Sequence, residues 1–139
     1  MIKYILPIIL IILTYSCKKE QIPTDGSATL QFSNDTIIFD TIFSSIGSIT
    51  KQLIVYNNND YEITTNVRLA GNSEGNFRMN VDGESGNNIQ NVTIAANDSI
   101  FILLEVTIDP NNTNTPYLVS DSVIFNTGNK KQDVDLIAY

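Results

Sequence analysis

Residues 28–139 predict an all-β fold, a two-sheet β-sandwich, and three observations lead there. Apolar and polar residues alternate in short runs, the period of a strand with one face in a core. Clusters of Asn, Asp and Gly separate these runs at intervals of about 8–12 residues, with no helical window of useful length between them. Asn, Thr, Ser and Ile are abundant while Ala and Leu are scarce, a balance that favours strands and polar turns.

The elements follow in order. Ala28, Leu30 and Phe32 alternate with polar neighbours, Asn34-Asp35 turns the chain into Ile37 and Phe39, and a short run carries Ile42 and Phe43. After Gly47, residues 49–56 form a strand with Leu53 and Val55 inward, closed by the turn Asn57-Asn58-Asn59-Asp60. Residues 61–70 place Ile63, Thr65, Val67 and Leu69 on one face and Arg68 on the other. Gly71–Gly75 reads as a loop, Phe77, Met79 and Val81 as the inward side of the next strand, and residues 83–88 as the longest polar loop. A short strand holds Ile89, Val92 and Ile94. Asn97-Asp98 opens the strongest strand, 99–108, with Ile100, Ile102, Leu104, Val106 and Ile108 inward and Glu105 marking a solvated face. Asp109-Pro110 ends it, because proline cannot continue a ladder. Strands at 117–126, with Val123 and Phe125, and at 131–138, with Val134, Leu136 and Ala138, close the domain around Thr127-Gly128-Asn129. Seven to nine antiparallel strands result, immunoglobulin-like in count and spacing. One cysteine and no tryptophan exclude the Cys…Trp…Cys core of antibody domains.

Ahead of this domain, Lys3 precedes an apolar run from Tyr4 to Leu13, followed by Thr14-Tyr15-Ser16-Cys17. A positive start, a short apolar core and a small residue before the cut are the marks of a secretory signal. Ten apolar residues fall short of the roughly 20 that a membrane-spanning helix needs. Thr14-Tyr15-Ser16-Cys17 resembles the lipobox of bacterial lipoproteins, although Thr14 stands where Leu is usual. That resemblance implies cleavage of a signal peptide at residues 1–16 and acylation of Cys17, a lipid anchor at the outer membrane in either leaflet. One acyl chain holds a protein only marginally and two or more hold it stably, at about 0.8 kcal/mol per buried methylene. An ordinary secretory signal with an incidental cysteine, or an uncleaved interfacial anchor, would use the same residues differently. Residues 17–27, with Pro23 and Gly26 and no apolar period, read as a lipidated cysteine and flexible tether reaching roughly 30 Å when extended.

Removal of residues 1–16 leaves one domain's worth of chain, with seven basic against fifteen acidic side chains. A net charge of −8 gives no electrostatic footprint for nucleic acid and is repelled by anionic headgroups. Membrane affinity then falls to the lipid.

Chemistry is scarce. Without histidine, the common metal sites and imidazole acid–base catalysis are out of reach. No P-loop, dinucleotide fingerprint or nucleophile elbow occurs. The carboxylate pairs Asp133/Asp135 and Asp82/Glu84 read as a solvated strand face and a turn, not as a glycosidase pair. Asp109-Pro110-Asn111-Asn112-Thr113 alternates oxygen ligands, but Asn114 and Ser120 stand where a calcium loop needs Gly and Glu, so a turn is the reading. No catalytic residue, cofactor or metal site is expected. Asp35-Thr36-Ile37, Asp40-Thr41-Ile42, Asp98-Ser99-Ile100 and Asp121-Ser122-Val123 resemble a bacterial O-glycosylation sequon for exported proteins. That makes Thr36, Thr41, Ser99 and Ser122 candidate acceptors, although Asp-Ser/Thr before a β-branched residue is also how a turn becomes a strand.

A second resemblance spans the domain. Residues 46–57 (Ile-Gly-Ser-Ile-Thr-Lys-Gln-Leu-Ile-Val-Tyr-Asn), Arg68-Leu69-Ala70-Gly71, Phe77-Arg78, Asn97-Asp98-Ser99 and Val106-Thr107-Ile108-Asp109-Pro110 occur in a series similar to the immunoglobulin-like domains of the Hydin and major-sperm-protein type. The series also resembles the membrane-proximal domain of Gram-negative lipoproteins in which such a sandwich precedes a right-handed parallel β-helix. It implies a non-catalytic, lipid-anchored spacer or docking module of the cell envelope. The alternative is a glycan- or protein-binding module, alone or for a β-helix beyond residue 139, with Tyr61, Tyr117 and residues 83–88 as contacts.

Overall fold

The computed structural model describes residues 28–40, 49–71, 75–107 and 118–139. Cys17, the tether, Thr41, Ile42, Phe43, Ile108, the Asp109–Thr113 run and Tyr117 lie outside them. The described residues form ten strands: β1 (Gln31–Phe32), β2 (Thr36–Phe39), β3 (Ile49–Asn57), β4 (Ile63–Leu69), β5 (Phe77–Val81), β6 (Glu84–Ser85), β7 (Asn88–Ile94), β8 (Asp98–Val106), β9 (Val119–Thr127) and β10 (Lys130–Ala138). Sheet A runs β1-β3-β8-β5-β6 and sheet B runs β2-β10-β9-β4-β7, so the predicted two-sheet sandwich is what forms.

Two details differ from the sequence reading. The strand count exceeds seven to nine because β1 and β6 are two-residue pairings too short to show a period. One pair is parallel, β2 beside β10, with Thr36 opposite Asp135 and Phe39 opposite Ala138. The cause is local. At Ser33–Asp35 the chain crosses from the edge of sheet A to the edge of sheet B without reversing. Ser33 fastens the crossing twice: its N–H donates to the Ile54 carbonyl at 2.9 Å and its hydroxyl accepts from the Ile54 N–H at 3.1 Å.

The core lies between the sheets and follows the predicted alternation. Leu53, Val55, Ile63, Val67, Phe77, Met79, Ile102, Leu104, Val134 and Leu136 are all buried. Aromatic rings clasp the two layers: Phe39 meets Phe77 at a centroid distance of 5.6 Å, and Phe32 meets Phe125 at 4.7 Å, both tilted. Such pairs add about 0.5–1.5 kcal/mol beyond their buried area. Buried side-chain nitrogen and oxygen atoms all find partners among the described residues, as in the Thr127 hydroxyl that donates to Thr65 at 2.9 Å. Two tight hairpins set registers. Asp82 (φ 48°) and Gly83 (φ 94°) join β5 to β6 with both central residues at positive φ, as a type I′ turn requires. Gly128 (φ 55°) leads the two-residue loop between β9 and β10. Residues 83–88 are therefore half a hairpin and not simply a loop.

Candidate functional site

The segment preceding β1 is fastened at one end of the sandwich. Gln132 receives the Leu30 N–H at 3.0 Å and donates to the Leu30 carbonyl at 2.9 Å, standing in for a strand neighbour. Lys130 donates to the Thr29 hydroxyl, and Asn59 donates to the Thr29 carbonyl at 3.3 Å. From there β10 runs to the opposite end, where the Tyr139 N–H donates to the Phe39 carbonyl at 3.4 Å. Nine strand residues separate the two ends by about 30 Å.

Sheet A carries an exposed aromatic ring on its outer face. Strand alternation turns Arg78 and Asn80 of β5, Phe101, Leu103 and Glu105 of β8, and Thr50, Gln52 and Ile54 of β3 outward. The ladders align them in cross-strand rows: Thr50–Glu105–Arg78, Gln52–Leu103–Asn80 and Ile54–Phe101. An open depression of about 830 Å³ lies over the β5 and β8 residues of this surface, lined also by Gly75, Asp82, Gly83, Ser85, Gly86 and Asn87. Phe101 is 43% exposed, although β8 contributes Ile102 and Leu104, neither of them exposed, to the core. Thr50 donates to Glu105 at 3.4 Å, while Asn80 is occupied locally, donating to Ser85 at 2.8 Å and accepting from the Gly83 N–H at 2.9 Å. Arg78 is exposed and makes no hydrogen bond or ion pair among the described residues. The face thus offers the exposed ring of Phe101 with half-buried Tyr56 on the same side of the sheet, one unused guanidinium, and the carboxylates of Glu105 and Asp82.

The residues singled out from sequence fall in several places. Of the 83–88 segment, Gly83, Ser85, Gly86 and Asn87 line the depression. Tyr61 does not; it packs half-buried against the core and donates its hydroxyl to Asn59 at 3.2 Å. Thr36 and Ser122 come together on the outer face of sheet B, flanking Asp135 in one row, and the Ser122 hydroxyl donates to Asp135 at 3.1 Å. Ser99 is exposed at the start of β8, on sheet A. In both Asp-Ser pairs the aspartate accepts the N–H of the serine after it, at 2.7 Å for Asp98 and 2.8 Å for Asp121. Asp121 is buried and also holds the Gly71 N–H at 3.1 Å, so it anchors the β4–β5 connection. Asp133 and Asp135 both face solvent. Asp82 serves the β5–β6 turn, with Glu84 beginning β6. Phe101 was missed from sequence because it sits in an unbroken apolar run, Ile100–Leu104, in which no polar residue marks the outward positions.

No protein-family model matches the chain, and no curated protein matches it. Solved structures do. The PapD-like domain 7 of human CEP192 is similar with a TM-score of 0.51 at 11% identity, covering 88% of this chain and 90% of that one. The E. coli chaperone DraB is similar with a TM-score of 0.52 at 9% identity over 80% of this chain, which spans 54% of the DraB chain. A protein of unknown function from Porphyromonas gingivalis W83 is similar with a TM-score of 0.52 at 14% identity, covering 78% and 46%. These likenesses show the fold: an immunoglobulin-like β-sandwich.

Proposed function

We propose that the chain is a non-catalytic, lipid-anchored module of the cell envelope, a spacer that presents the outer face of sheet A for docking. The observation that carries this reading is the separation between the residues nearest the tether, Thr29 and Leu30, and Tyr139, at opposite ends of β10. A domain threaded this way adds its own length, about 30 Å, to the reach of the tether. The leader and Cys17 supply the anchor, and the acidic surface adds no attraction to anionic headgroups, so acyl chains carry the membrane affinity. The similar DraB is a chaperone, which supports a binding use of the fold by analogy. Envelope fractionation and labelling with palmitate in the native host test the anchor. The wild type should incorporate label and sediment with membranes, and Cys17→Ser should lose both. Quantitative sedimentation of unlabelled Cys17→Ser would overturn the reading.

A further inference from the structure

We infer that the outer face of sheet A between β5 and β8 is a carbohydrate site, which takes a neutral glycan with one sugar face on Phe101. The inference rests on the docking reading of this face and not on the lipid anchor. Phe101 presents a ring that is 43% exposed. The C–H face of a pyranose is weakly polar and flat, and the electron-rich face of an aromatic ring attracts its partly positive hydrogens. Around the ring stand groups suited to hydroxyls. Arg78 has five N–H donors and uses none among the described residues. Glu105, opposite it in the ladder, accepts one bond from Thr50 and has further lone pairs free. A sugar hydroxyl both donates and accepts, so a vicinal pair can satisfy guanidinium and carboxylate together.

Charge selects among occupants. Arg78 and Glu105 oppose each other across one rung and Asp82 lines the same depression, so this part of the face carries a small negative charge, as does the chain as a whole. A polyanion meets net repulsion and gains one cation. A neutral glycan meets no such cost. Gly83, Ser85 and Gly86 also line the depression, and their small size lets a sugar chain lie close to the backbone. A helical peptide would want a continuous row of apolar anchors. The face instead gives one exposed ring beside half-buried Leu103 and Ile54. The volume of about 830 Å³ falls in the roughly 300–1,000 Å³ range of small-molecule sites, enough for a few sugar units.

Native gels cast with soluble neutral polysaccharides (β-glucan, mannan, xylan, dextran) test this on the full chain in detergent, with polygalacturonate as the anionic control. At least one neutral polymer should retard the wild type. Phe101→Ala and Arg78→Ala should each weaken that retardation tenfold or more, and Ile38→Ala, on sheet B, should leave it unchanged. Far-UV circular dichroism and melting curves establish that the variants are folded. Absence of retardation by every neutral polymer, retardation by polygalacturonate alone, or retardation that Phe101→Ala and Arg78→Ala leave intact would overturn the assignment. A photo-crosslinker placed at Gln52 separates the two levels. Negative gels with a specific envelope protein captured at Gln52 remove the glycan and leave docking in place; negative gels with no capture remove both.

Discussion

Asn57 closes β3 and is fully buried. Its amide nitrogen donates to the carbonyls of Tyr61 at 2.8 Å, Ile94 at 3.0 Å and Ala95 at 3.0 Å, while its oxygen accepts from the Asn59 N–H at 3.0 Å. One side chain thus ties the β3–β4 turn to the β7–β8 connection, and this gives a physical reason for the asparagine that ends the stretch 46–57. Asn57→Ala removes the donor and leaves buried carbonyls unpaired, at a cost of about 2–4 kcal/mol. Urea denaturation should show that loss as a lower midpoint at unchanged slope. The turn itself was legible, since four successive Asn/Asp residues announce it. The amide's partners were not, because Ile94 lies 37 positions away and no local pattern encodes that meeting.

Among the elements, β4, β5 and β10 were readable because a two-residue alternation meets a single core. The β7 strand broke the rule. Ile89 and Val92 both reach the core although three residues apart, because the register slips between Thr65 and Val67. The slip is a bulge. Asn91 takes the left-handed conformation there (φ 57°), and its N–H donates to the Asn66 side chain at 2.8 Å. Asn91→Gly should leave stability within about 0.5 kcal/mol, whereas Asn91→Val, which resists positive φ, should cost about 1–2 kcal/mol in the same denaturation measurement. The β5–β6 hairpin carried a readable signal in Asp82-Gly83, which a longer polar run disguised. Exposure of Phe101 had none, since both faces of β8 are apolar along Ile100–Leu104 and only the neighbouring strands decide which side is covered.

At the scale of the whole molecule, composition and turn spacing sufficed for a two-sheet sandwich, while the pairing of β2 with β10 needed the structure. Thr36 and Asp135 stand opposite each other across nearly the full length of the domain sequence. Loop closure over such distances precedes any reward from contacts, so stopped-flow refolding should relax in milliseconds to seconds and not in microseconds. The same pair bears on how the domain would behave under tension. A pull on residue 28 from one side and on residue 139 from the other drags β2 and β10 in opposite directions along their shared axis. Their evenly spaced backbone bonds are then strained in shear, all at once, and do not peel open one by one as a hairpin would. Stretched between those two residues, the domain meets its greatest mechanical resistance along that line.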